Sequence, residues 1–511
     1  MADLKDAFIE WWSTIKMDVA VIKKYFISLS IVYIIGILSI IRANYNYMDD
    51  FGRVLYGYRG FDIFSRYLAH YLSIFVHADG ILNDISPLPQ IMAVFILGLA
   101  GSILIRTFRD NQDFSWISIA ALVPLGLTPY FLECFSFKFD APYMALSILA
   151  SVLPLMFIGT NLKLFMGITF ICTLVMCMTY QAASGIFVIC ILFLFSKKWN
   201  DGSDIKLCLY GIGKSLSSFI VAMIVYRFVI LKPFNDYVST DVFGDTSLYI
   251  VIINNVNTLF SYFKEDMTDI WIIIVSTLCI CFIRSFVLHS SREKWKAFLL
   301  ALLLLPVGCI LSYGAFLILQ KPLFYPRSMY GIGVFLSIIG LLALNNKSVN
   351  HLTKIVVVAM AWSMITFSLA YGNCLAEQRR YENFRVQLVL NDLSKIPDMG
   401  SKHIRKMQLQ GSIGYSPAVY RVSKRYKVLE RLIHTNISAD FCFGEFYLFK
   451  YFNLPGVTQV PTWGDEQRTL YEKGLPIFVD TAYHRIKADD RSIIVLLKKP
   501  SFEDDKKEEE K

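Results

Sequence analysis

Two adjacent carboxylates and an arginine follow the first long apolar run of the sequence. Asp49, Asp50 and Arg53 lie among aromatic residues in the stretch ANYNYMDDFGRVLYGYRG, residues 43–60. Neighbouring residues on a helix point about 100° apart, so one carboxylate can face a substrate while the other orients it or pairs with Arg53. The pattern predicts a general base or a metal-ligating carboxylate at a membrane edge. The structural alternative is a helix cap, or an ion pair at i,i+4 spacing between Asp49 and Arg53.

Two further carboxylates lie in the short stretch PYFLECFSFKFDAPY, residues 129–143. Glu133 and Asp140 are surrounded there by aromatic residues, and a carboxylate withdrawn from water in this way is suited to proton transfer. Glu133 is therefore the next candidate for a catalytic base, and Asp140 is a candidate for substrate binding. A loop that carries carboxylates for solubility alone is the alternative.

Three more segments carry polar residues that suit substrate binding. The stretch LQKPLFYPRSMYG, residues 319–331, holds a basic cluster that fits an anionic ligand such as a lipid phosphate, although simple anchoring at the interface also accounts for it. The second segment is a tight turn in TYQAASG, residues 179–185. The third is a polar stripe along residues 61–77. The candidates from these segments are Lys321, Tyr325, Arg327, Tyr180, Gln181 and Arg66.

Membrane helices are the elements that must position these residues. Of the 511 residues, 55% are hydrophobic, above the roughly 45–50% usual for a soluble protein. Long apolar runs reach the roughly 20 residues that cross a bilayer, so we predict an all-α polytopic membrane protein with about eleven transmembrane helices in residues 1–372. The predicted spans cover residues 25–42, 90–108, 115–132, 142–159, 164–180, 182–196, 208–231, 270–288, 297–319, 328–345 and 353–372.

The distribution of lysine and arginine along the connections indicates the orientation. Every second connection is basic, beginning with the N-terminal residues, so the positive-inside rule predicts a cytoplasmic N-terminus. The acidic pair then faces the outer side. The alternation requires residues 61–77 to be an interfacial helix that lies on the membrane, and residues 247–263, with asparagines at their middle, are predicted to be interfacial too.

The composition changes from about residue 373, where charges become frequent and no apolar run is long enough to span. An odd number of spans places residues 373–500 on the outer side, as a small α/β domain. We predict helices at 374–396 and 418–434, a strand after residue 403 and a closing hairpin that turns at Asp489–Asp490. Residues 501–511 are predicted to be a disordered charged tail.

The formal net charge of +9 lies largely in short loops and in the basic C-terminal region. This placement favours membrane lipid head groups over nucleic acid as partners. His70 and His77 lack a third ligand at a spacing that suits a metal. The sequence therefore predicts no cofactor; a divalent metal is compatible with it but not required.

The acidic pair after the first span, the further spans and the outer C-terminal domain resemble the GT-C plan of glycosyltransferases that use polyprenyl-phosphate sugars. More closely, YMDDFGRVLYGYRG, TPYFLECFSFKFDAPYMALS, TYQAASGIFV and GSIGYSPAV are similar to the type II serotype-converting O-antigen glucosyltransferases of Gram-negative bacteria and their phages. The resemblance covers most of the chain and is weakest in the C-terminal domain.

The resemblance implies a GT-C-like fold in the bacterial inner membrane, with the C-terminal domain in the periplasm. The donor would be undecaprenyl-phosphate glucose, and the acceptor would be a hydroxyl of the lipid-linked O-antigen polysaccharide, with inversion at the transferred carbon. Asp49 or Asp50 would be the general base. Basic residues would hold the departing phosphate.

Two other functions remain open. An O-antigen polymerase or ligase is also polytopic, but it is expected to carry its large outer loop between spans. A polysaccharide flippase or transporter needs ionisable residues in the middle of its spans, and the sequence has almost none there.

Overall fold

The chain forms two compact units, which are described separately. A computed structural model describes residues 2–110, 113–232, 241–242, 246–345, 350–399, 404–439, 447–459 and 474–502. The first unit comprises Met1–Ile41, Arg59–Ile81 and Ile85–Ala370, and the second comprises Arg42–Tyr58, Leu82–Asp84 and Tyr371–Lys511. The segment that carries the acidic pair therefore groups with the C-terminal region.

Most of the described residues are helical. The α-helices are α1 (Ala2–Ala43), α2 (Asp50–Tyr56), α3 (Tyr67–His77), α4 (Leu88–Phe108), α5 (Trp116–Leu127), α6 (Pro129–Ser136), α7 (Ala141–Val152), α8 (Leu162–Thr179), α9 (Ile186–Asn200), α10 (Ile205–Val225), α11 (Leu248–Asp266), α12 (Asp269–Leu288), α13 (Lys294–Leu311), α14 (Gly331–Ala343), α15 (His351–Leu393), α16 (Pro417–Ser423) and α17 (Leu429–Leu432). Short 3₁₀ turns lie at Asp62–Phe64, Leu153–Phe157, Gln181–Gly185, Gly314–Ile318 and Pro326–Ser328, and π-helical turns at Tyr226–Ile230 and Tyr447–Tyr451.

Within the described residues, eight helices are long and apolar enough to cross a membrane. They are Val19–Ala43, Leu88–Phe108, Leu162–Thr179, Gln181–Asn200, Ile205–Ile230, Asp269–Leu288, Lys294–Leu311 and His351–Leu393. Each overlaps a predicted span, although His351–Leu393 extends well beyond the predicted 353–372. The other three predicted spans fall on the pair α5–α6 and on the shorter apolar helices Ala141–Phe157 and Gly331–Ala343. The count of about eleven therefore stays a prediction.

Helices α5 and α6 are bent by 59° at the short break between them. Pro129 is the first residue of α6, and Thr128 before it is extended, with φ −65° and ψ 151°. A proline disfavours the helical conformation in the preceding residue and cannot donate to the previous turn, so the chain changes direction here. The bend sets the direction of α6, which carries Glu133.

The two predicted interfacial segments differ in form. Residues 61–77 are not one helix, because Ser65 has a left-handed φ of 56° and separates a 3₁₀ turn from α3. Tyr71 and Phe75 of α3 are 61% and 80% exposed. The second segment is a single helix, α11. A position on the membrane surface stays a prediction for both.

The second unit contains a five-stranded sheet with the order β2-β1-β5-β4-β3. Its strands are β1 (Arg405–Gly411), β2 (Val457–Gln459), β3 (Ile477–Asp480), β4 (His484–Ala488) and β5 (Ser492–Leu497). Strand β1 is parallel to β2 and β5, whereas β3, β4 and β5 are antiparallel. Buried Met407, Leu409 and Val495 of the sheet belong to one core with Val386 and Leu393 of α15.

The C-terminal secondary structure was largely predictable. The helix at 374–396 is the end of α15, the strand is β1, and the closing hairpin is β4–β5 with its turn at Asp489–Asp490. The helix predicted at 418–434 is instead the two short helices α16 and α17. Ser416 caps α16 by accepting a hydrogen bond from Val419 N at 3.3 Å. Residues 503–511 of the predicted tail lie outside the described residues.

Candidate functional site

The predicted site residues divide between the two units, and each group is described by itself. The acidic pair and Arg53 belong to the second unit, whereas all the other candidates belong to the first. The members of the first group are Arg66, Glu133, Asp140, Tyr180, Gln181, Lys321, Tyr325 and Arg327.

A buried ion pair joins α6 to the 3₁₀ turn Pro326–Ser328. Glu133 Oε2 accepts a hydrogen bond from the backbone N–H of Arg327 at 2.6 Å, and Glu133 Oε1 accepts one from Arg327 Nη1 at 2.5 Å. The Glu133 side chain is fully buried, and Arg327 is 9% exposed. Because the carboxylate binds both the main chain and the side chain of Arg327, it fixes the turn and balances the guanidinium charge.

Aromatic rings flank the same guanidinium. Arg327 Cζ lies 4.6 Å from the ring centroid of Tyr325 and 5.3 Å from that of Phe137. Lys321 is exposed at the start of this segment. The basic cluster predicted here therefore consists of one buried, paired cation and one exposed cation.

A second arginine of the first unit is held on aromatic faces. Arg66 lies at the N-cap of α3, and its Cζ lies 4.3 Å from the ring centroid of Tyr180 and 5.0 Å from that of Phe64. Arg66 Nε donates to Gln181 Oε1 at 3.4 Å. Among the residues that the structure describes, no carboxylate pairs with Arg66. Its charge is therefore stabilised by ring faces and an amide oxygen.

Gln181 connects the turn at 181–185 to two other segments. Its Nε2 donates to Phe64 O at 3.0 Å and to Tyr226 Oη at 2.7 Å. Tyr226 begins the π-helical turn at the end of α10, an irregularity that is frequent at functional sites. Sequence reasoning missed Tyr226, because an aromatic residue near the end of a span is common and no local pattern marks this one.

Tyr180 links the two arginines. Arg66 and Arg327 both interact electrostatically with its hydroxyl. The Tyr180 ring stacks on that of Tyr330, with centroids 6.0 Å apart, and Tyr330 Oη shares a 2.8 Å hydrogen bond with Ser147 Oγ. The two arginine clusters are thus parts of one polar neighbourhood inside the first unit.

Asp140 lies in the same neighbourhood. It is the N-cap residue of α7 and is 4% exposed. Asp140, Glu133, Arg66 and Arg327 all interact electrostatically with the thiol of Cys134. The structure therefore brings together candidates from four separate segments of the sequence.

A further buried carboxylate was missed. Asp266, at the end of α11, is 2% exposed, and its Oδ2 accepts a hydrogen bond from Tyr130 Oη at 3.1 Å. In the sequence Asp266 stands in KEDMTD, which has the composition of an ordinary polar loop. Its burial and its contact with α6 are features that the sequence does not show.

In the second unit, the acidic pair begins helix α2. Asp49 occupies the N-cap position, but its side chain forms no capping hydrogen bond. Asp50 is fully buried, and its Oδ2 accepts a hydrogen bond from the backbone N–H of Tyr47 at 3.2 Å. Arg53 is 5% exposed. The capping role considered for the pair is therefore not performed by Asp49.

A buried polar network holds the segment before the acidic pair. Tyr45 Oη donates to Glu382 Oε1 at 2.9 Å, and Asn436 Nδ2 donates to Glu382 Oε2 at 3.2 Å. Tyr47 Oη donates to Leu432 O at 2.9 Å. Glu382 lies beyond the apolar part of α15, in the second unit, where burial raises its pKa to about 7 although the hydrogen bonds from Tyr45 and Asn436 lower it.

Within the described residues, no three His, Cys, Asp or Glu side chains form a group suited to a metal ion. Independently of this, the carboxylates and arginines described above can accept a proton and bind an anion.

Comparison with known proteins identifies the family. The model of the family described as glucosyl transferase GtrII matches residues 38–338. The chain belongs to this family. A protein of Salmonella phage P22, described as an uncharacterized 55.3 kDa protein in the gtrB 5' region, is 28% identical over 247 residues, which are 47% of this chain and 49% of that protein. The chain thus spans about half the length of this relative. No solved structure matches the chain.

The matched region of this GtrII family member contains every predicted site residue, from Asp49 to Arg327. It ends before α15 and before the sheet, which begins at Arg405. The predicted site residues therefore lie inside the matched region, and the C-terminal sheet lies outside it.

Proposed function

We propose that this GtrII family member is a glucosyltransferase of the bacterial inner membrane. It transfers glucose from undecaprenyl-phosphate glucose to lipid-linked O-antigen on the periplasmic face and so changes the serotype. Family membership supports sugar transfer, and the long apolar helices suit a donor that is itself dissolved in the bilayer.

The proposed reaction is a displacement at the anomeric carbon. The acceptor oxygen forms a bond to C1 of glucose while the bond from C1 to the phosphate oxygen breaks. Undecaprenyl phosphate leaves with that electron pair, and the acceptor proton passes to a carboxylate. Attack opposite to the phosphate converts a β-linked donor into an α-glucoside.

The setting of Arg66 is the observation that carries the donor assignment. A guanidinium that lies on two aromatic faces, with no carboxylate partner among the described residues, keeps its remaining N–H donors for a phosphate. Arg327 differs, because Glu133 already balances its charge. We therefore assign direct phosphate binding to Arg66, and to Arg327 a supporting electrostatic role with Tyr325 beside it.

The carboxylates are assigned different roles according to their hydrogen-bond partners. Both oxygens of Glu133 accept hydrogen bonds from Arg327, which makes Glu133 the weaker candidate for a base. We propose that Asp49 or Asp50 accepts the proton of the acceptor hydroxyl. Asp140 and Gln181 are proposed to bind sugar hydroxyls, for which a carboxylate and an amide have the appropriate hydrogen-bonding groups.

The proposal is tested with purified full-length protein in nanodiscs, a synthetic polyprenyl-phosphate glucose and lipid-linked O-antigen. Transfer of labelled glucose to the polysaccharide, with an α-linkage by NMR, is the expected result. No transfer from the lipid donor, or transfer from a nucleotide sugar instead, contradicts the function.

The Arg66 assignment has its own test in the same assay. Loss of a charge-assisted hydrogen bond predicts that Arg66→Gln raises the donor KM by about tenfold or more. Arg66→Lys should recover part of the loss, because it restores the charge without the planar fork. Arg227→Gln removes another cation of the first unit and should leave the donor KM unchanged. Equal effects of Arg66→Gln and Arg227→Gln would remove Arg66 from the donor site.

A further inference from the structure

A strongly basic segment lies in the second unit, outside residues 38–338, which the family model matches. Residues 421–431, which we call the basic segment, contain five cationic side chains and one carboxylate. Four of the cations are exposed, namely Arg421, Lys424, Arg425 and Lys427. The proposed sugar transfer makes no use of them.

The basic segment is anchored where α15 leaves its apolar run. Tyr371 Oη donates to Leu432 O at 3.3 Å, just after the last residue of the segment. Gln378, two turns further along α15, accepts a hydrogen bond from Ser416 N at 2.9 Å, just before the segment. Arg421 interacts electrostatically with Cys374, which lies between these two positions on α15.

The sequence predicts that the last span ends near residue 372, so these contacts would hold the cations close to the predicted bilayer surface. At 1.5 Å rise per residue, the seven residues from Tyr371 to Gln378 cover only about 10 Å, which is comparable to the Debye length at physiological salt. The end of α1 is at the same level, because Arg42 Nη2 donates to Asn373 Oδ1. Charges held within this distance interact with lipid head groups without strong screening.

A buried apolar side fixes the orientation of the segment. Val419, Val428 and Leu432 have no exposed surface, and Leu429 has 1%. Because these side chains are buried in the second unit, the charged side chains between them face outward. The surface is therefore a built one rather than a mobile basic tail.

We propose that the basic segment binds the head groups of anionic phospholipids at the bilayer surface. Its charge sign fits the phosphate of such lipids, and its height above the apolar run fits the plane in which they lie. Each Lys or Arg near an anionic membrane surface increases the binding constant roughly fivefold, so a set of such cations gives a strong preference for anionic over zwitterionic lipid.

The experiment uses the full chain in nanodiscs of phosphatidylcholine, with or without phosphatidylglycerol, and follows hydrogen–deuterium exchange in peptides that cover residues 417–432. Phosphatidylglycerol should slow exchange there and leave exchange in β1 and β5 unchanged. High salt should remove the difference in the unmodified protein, because it screens exposed charges. This arm needs no variant.

Matched variants separate a local site from total charge. The variant with Arg421→Gln, Lys424→Gln, Arg425→Gln and Lys427→Gln should lose the lipid effect, since four fivefold factors are removed. A control with Lys395→Gln, Lys406→Gln, Lys487→Gln and Arg491→Gln loses the same charge elsewhere in the second unit and should keep the lipid effect. The proposal is overturned if exchange in 417–432 is the same in both lipids, if high salt leaves the lipid effect intact, or if both variants change it equally.

Discussion

At the scale of single residues, the acidic pair carries the most direct prediction. A general base typically contributes about 10²–10⁴-fold in rate, whereas a structural carboxylate contributes mainly to stability. Asn keeps the shape of Asp and can still accept a hydrogen bond, as the Asp50 side chain does from Tyr47 N. We expect one of Asp49→Asn and Asp50→Asn to fold normally, bind donor and lose turnover by this factor in single-turnover assays.

Asp49 is the favoured member of the pair. Its side chain does not cap α2, and it is partly exposed, whereas Asp50 is fully buried. A base must reach the hydroxyl of a substrate, so the more accessible carboxylate suits the role. If both variants keep near-normal turnover at saturating donor, neither Asp is the base and Asp140 or Glu133 must be tested next.

The Glu133–Arg327 pair makes a different prediction, because its loss should act on stability first. Removing one partner of a buried ion pair leaves a buried charge without its counterion, at a cost of about 3–5 kcal/mol. Glu133→Gln should therefore lower the thermal midpoint more than Lys321→Gln, which removes an exposed cation from the same segment.

The double variant Glu133→Gln with Arg327→Met completes this test. It removes both charges of the pair, so Arg327 is no longer left without Glu133, and the midpoint should lie above that of Glu133→Gln alone. A Glu133→Gln protein that is as stable as the parent but inactive would assign Glu133 to catalysis instead.

Glu382 predicts a pH dependence of stability in the second unit. The pKa of Glu382 is raised to about 7 in the folded protein, mainly by burial, from 4.5 in the unfolded chain. The folded state therefore holds a proton that the unfolded state loses between these values, so the stability from this group falls as the pH rises from about 5 to 7. The shift corresponds to roughly 3 kcal/mol at most.

Unfolding midpoints measured between about pH 5 and 8 check this sign. Glu382→Gln should flatten the fall, because the amide does not titrate. Glu430→Gln removes an exposed carboxylate of the same unit and should leave the profile of the parent. If the unfolding midpoint of Glu382→Gln falls with pH as steeply as that of the parent, another group causes the pH dependence.

At the scale of elements, two 3₁₀ turns meet at glycines. Gly185 and Gly314 lie in the turns Gln181–Gly185 and Gly314–Ile318, and a Cβ on Gly185 would lie 3.0 Å from Gly314 N and would overlap Leu311 O. The backbone of α13 cannot yield easily, so Gly185→Ala should cost about 1–3 kcal/mol. It should also weaken donor use, because it moves the turn that carries Gln181.

Gly213→Ala is the matched control for this prediction. A Cβ at Gly213, within α10, meets nothing within 4 Å, and alanine favours a helix over glycine. Thermal midpoints of the two variants should differ clearly, with Gly213→Ala equal to or above the parent. Equal midpoints would mean that the two turns are not in close contact.

Element boundaries were accessible from the sequence where one strong pattern dominates. Long apolar runs predicted eight helices that the structure contains, and the turn at Asp489–Asp490 predicted the β4–β5 hairpin. The break at Ser65 was not predictable, because the left-handed conformation of a serine depends on tertiary contacts and has no composition signal. The ends of short helices such as α16 are similarly set by local caps.

The contacts between site residues could not be predicted from the sequence, because they join residues that are far apart along the chain. Arg66 and Gln181 were singled out separately, but they are 115 positions apart in the sequence, so their contact could not be foreseen. Glu133 and Arg327 are 194 residues apart, so the ion pair that changes the role of Arg327 was equally hidden. Residue type indicates which chemistry is available, whereas the fold decides which charges are already balanced.

At the scale of the whole molecule, the connections between helices of the first unit fall into two sets according to their contacts. Connections predicted to be cytoplasmic touch one another, and so do several of those predicted to be outside. Contacts in the first set join Lys197 to Asp110, Arg109 to Leu344 and Arg292 to Trp199. Contacts in the second set join Gln181 to Phe64, Arg327 to Glu133 and Ser65 to Lys232.

The short helix α14 connects the two sets. It begins just after the Arg327 turn and ends at Ala343, next to Leu344. It is below the usual length of a span, but every residue in it is buried, so neighbouring helices rather than lipid surround it. This favours α14 as a crossing segment, and with it the odd number of crossings that the lysine and arginine pattern predicts.

The side of the membrane on which each terminus lies shows whether the number of crossings is odd or even. Eight crossings would leave the two termini on the same side of the membrane, whereas nine or eleven place them on opposite sides. Because basic connections stay in the cytoplasm, we expect a cytoplasmic N-terminus and a periplasmic second unit.

Alkaline phosphatase fused after residue 397 should be active, and green fluorescent protein at the same position should not fluoresce. Fusions after residues 322 and 348, on either side of α14, should give opposite signals, with phosphatase active only at the first. The same signal at both positions would mean that α14 does not cross the membrane. An inactive phosphatase after residue 397 would place the C-terminal sheet in the cytoplasm, and the sheet could then not take part in a periplasmic transfer reaction.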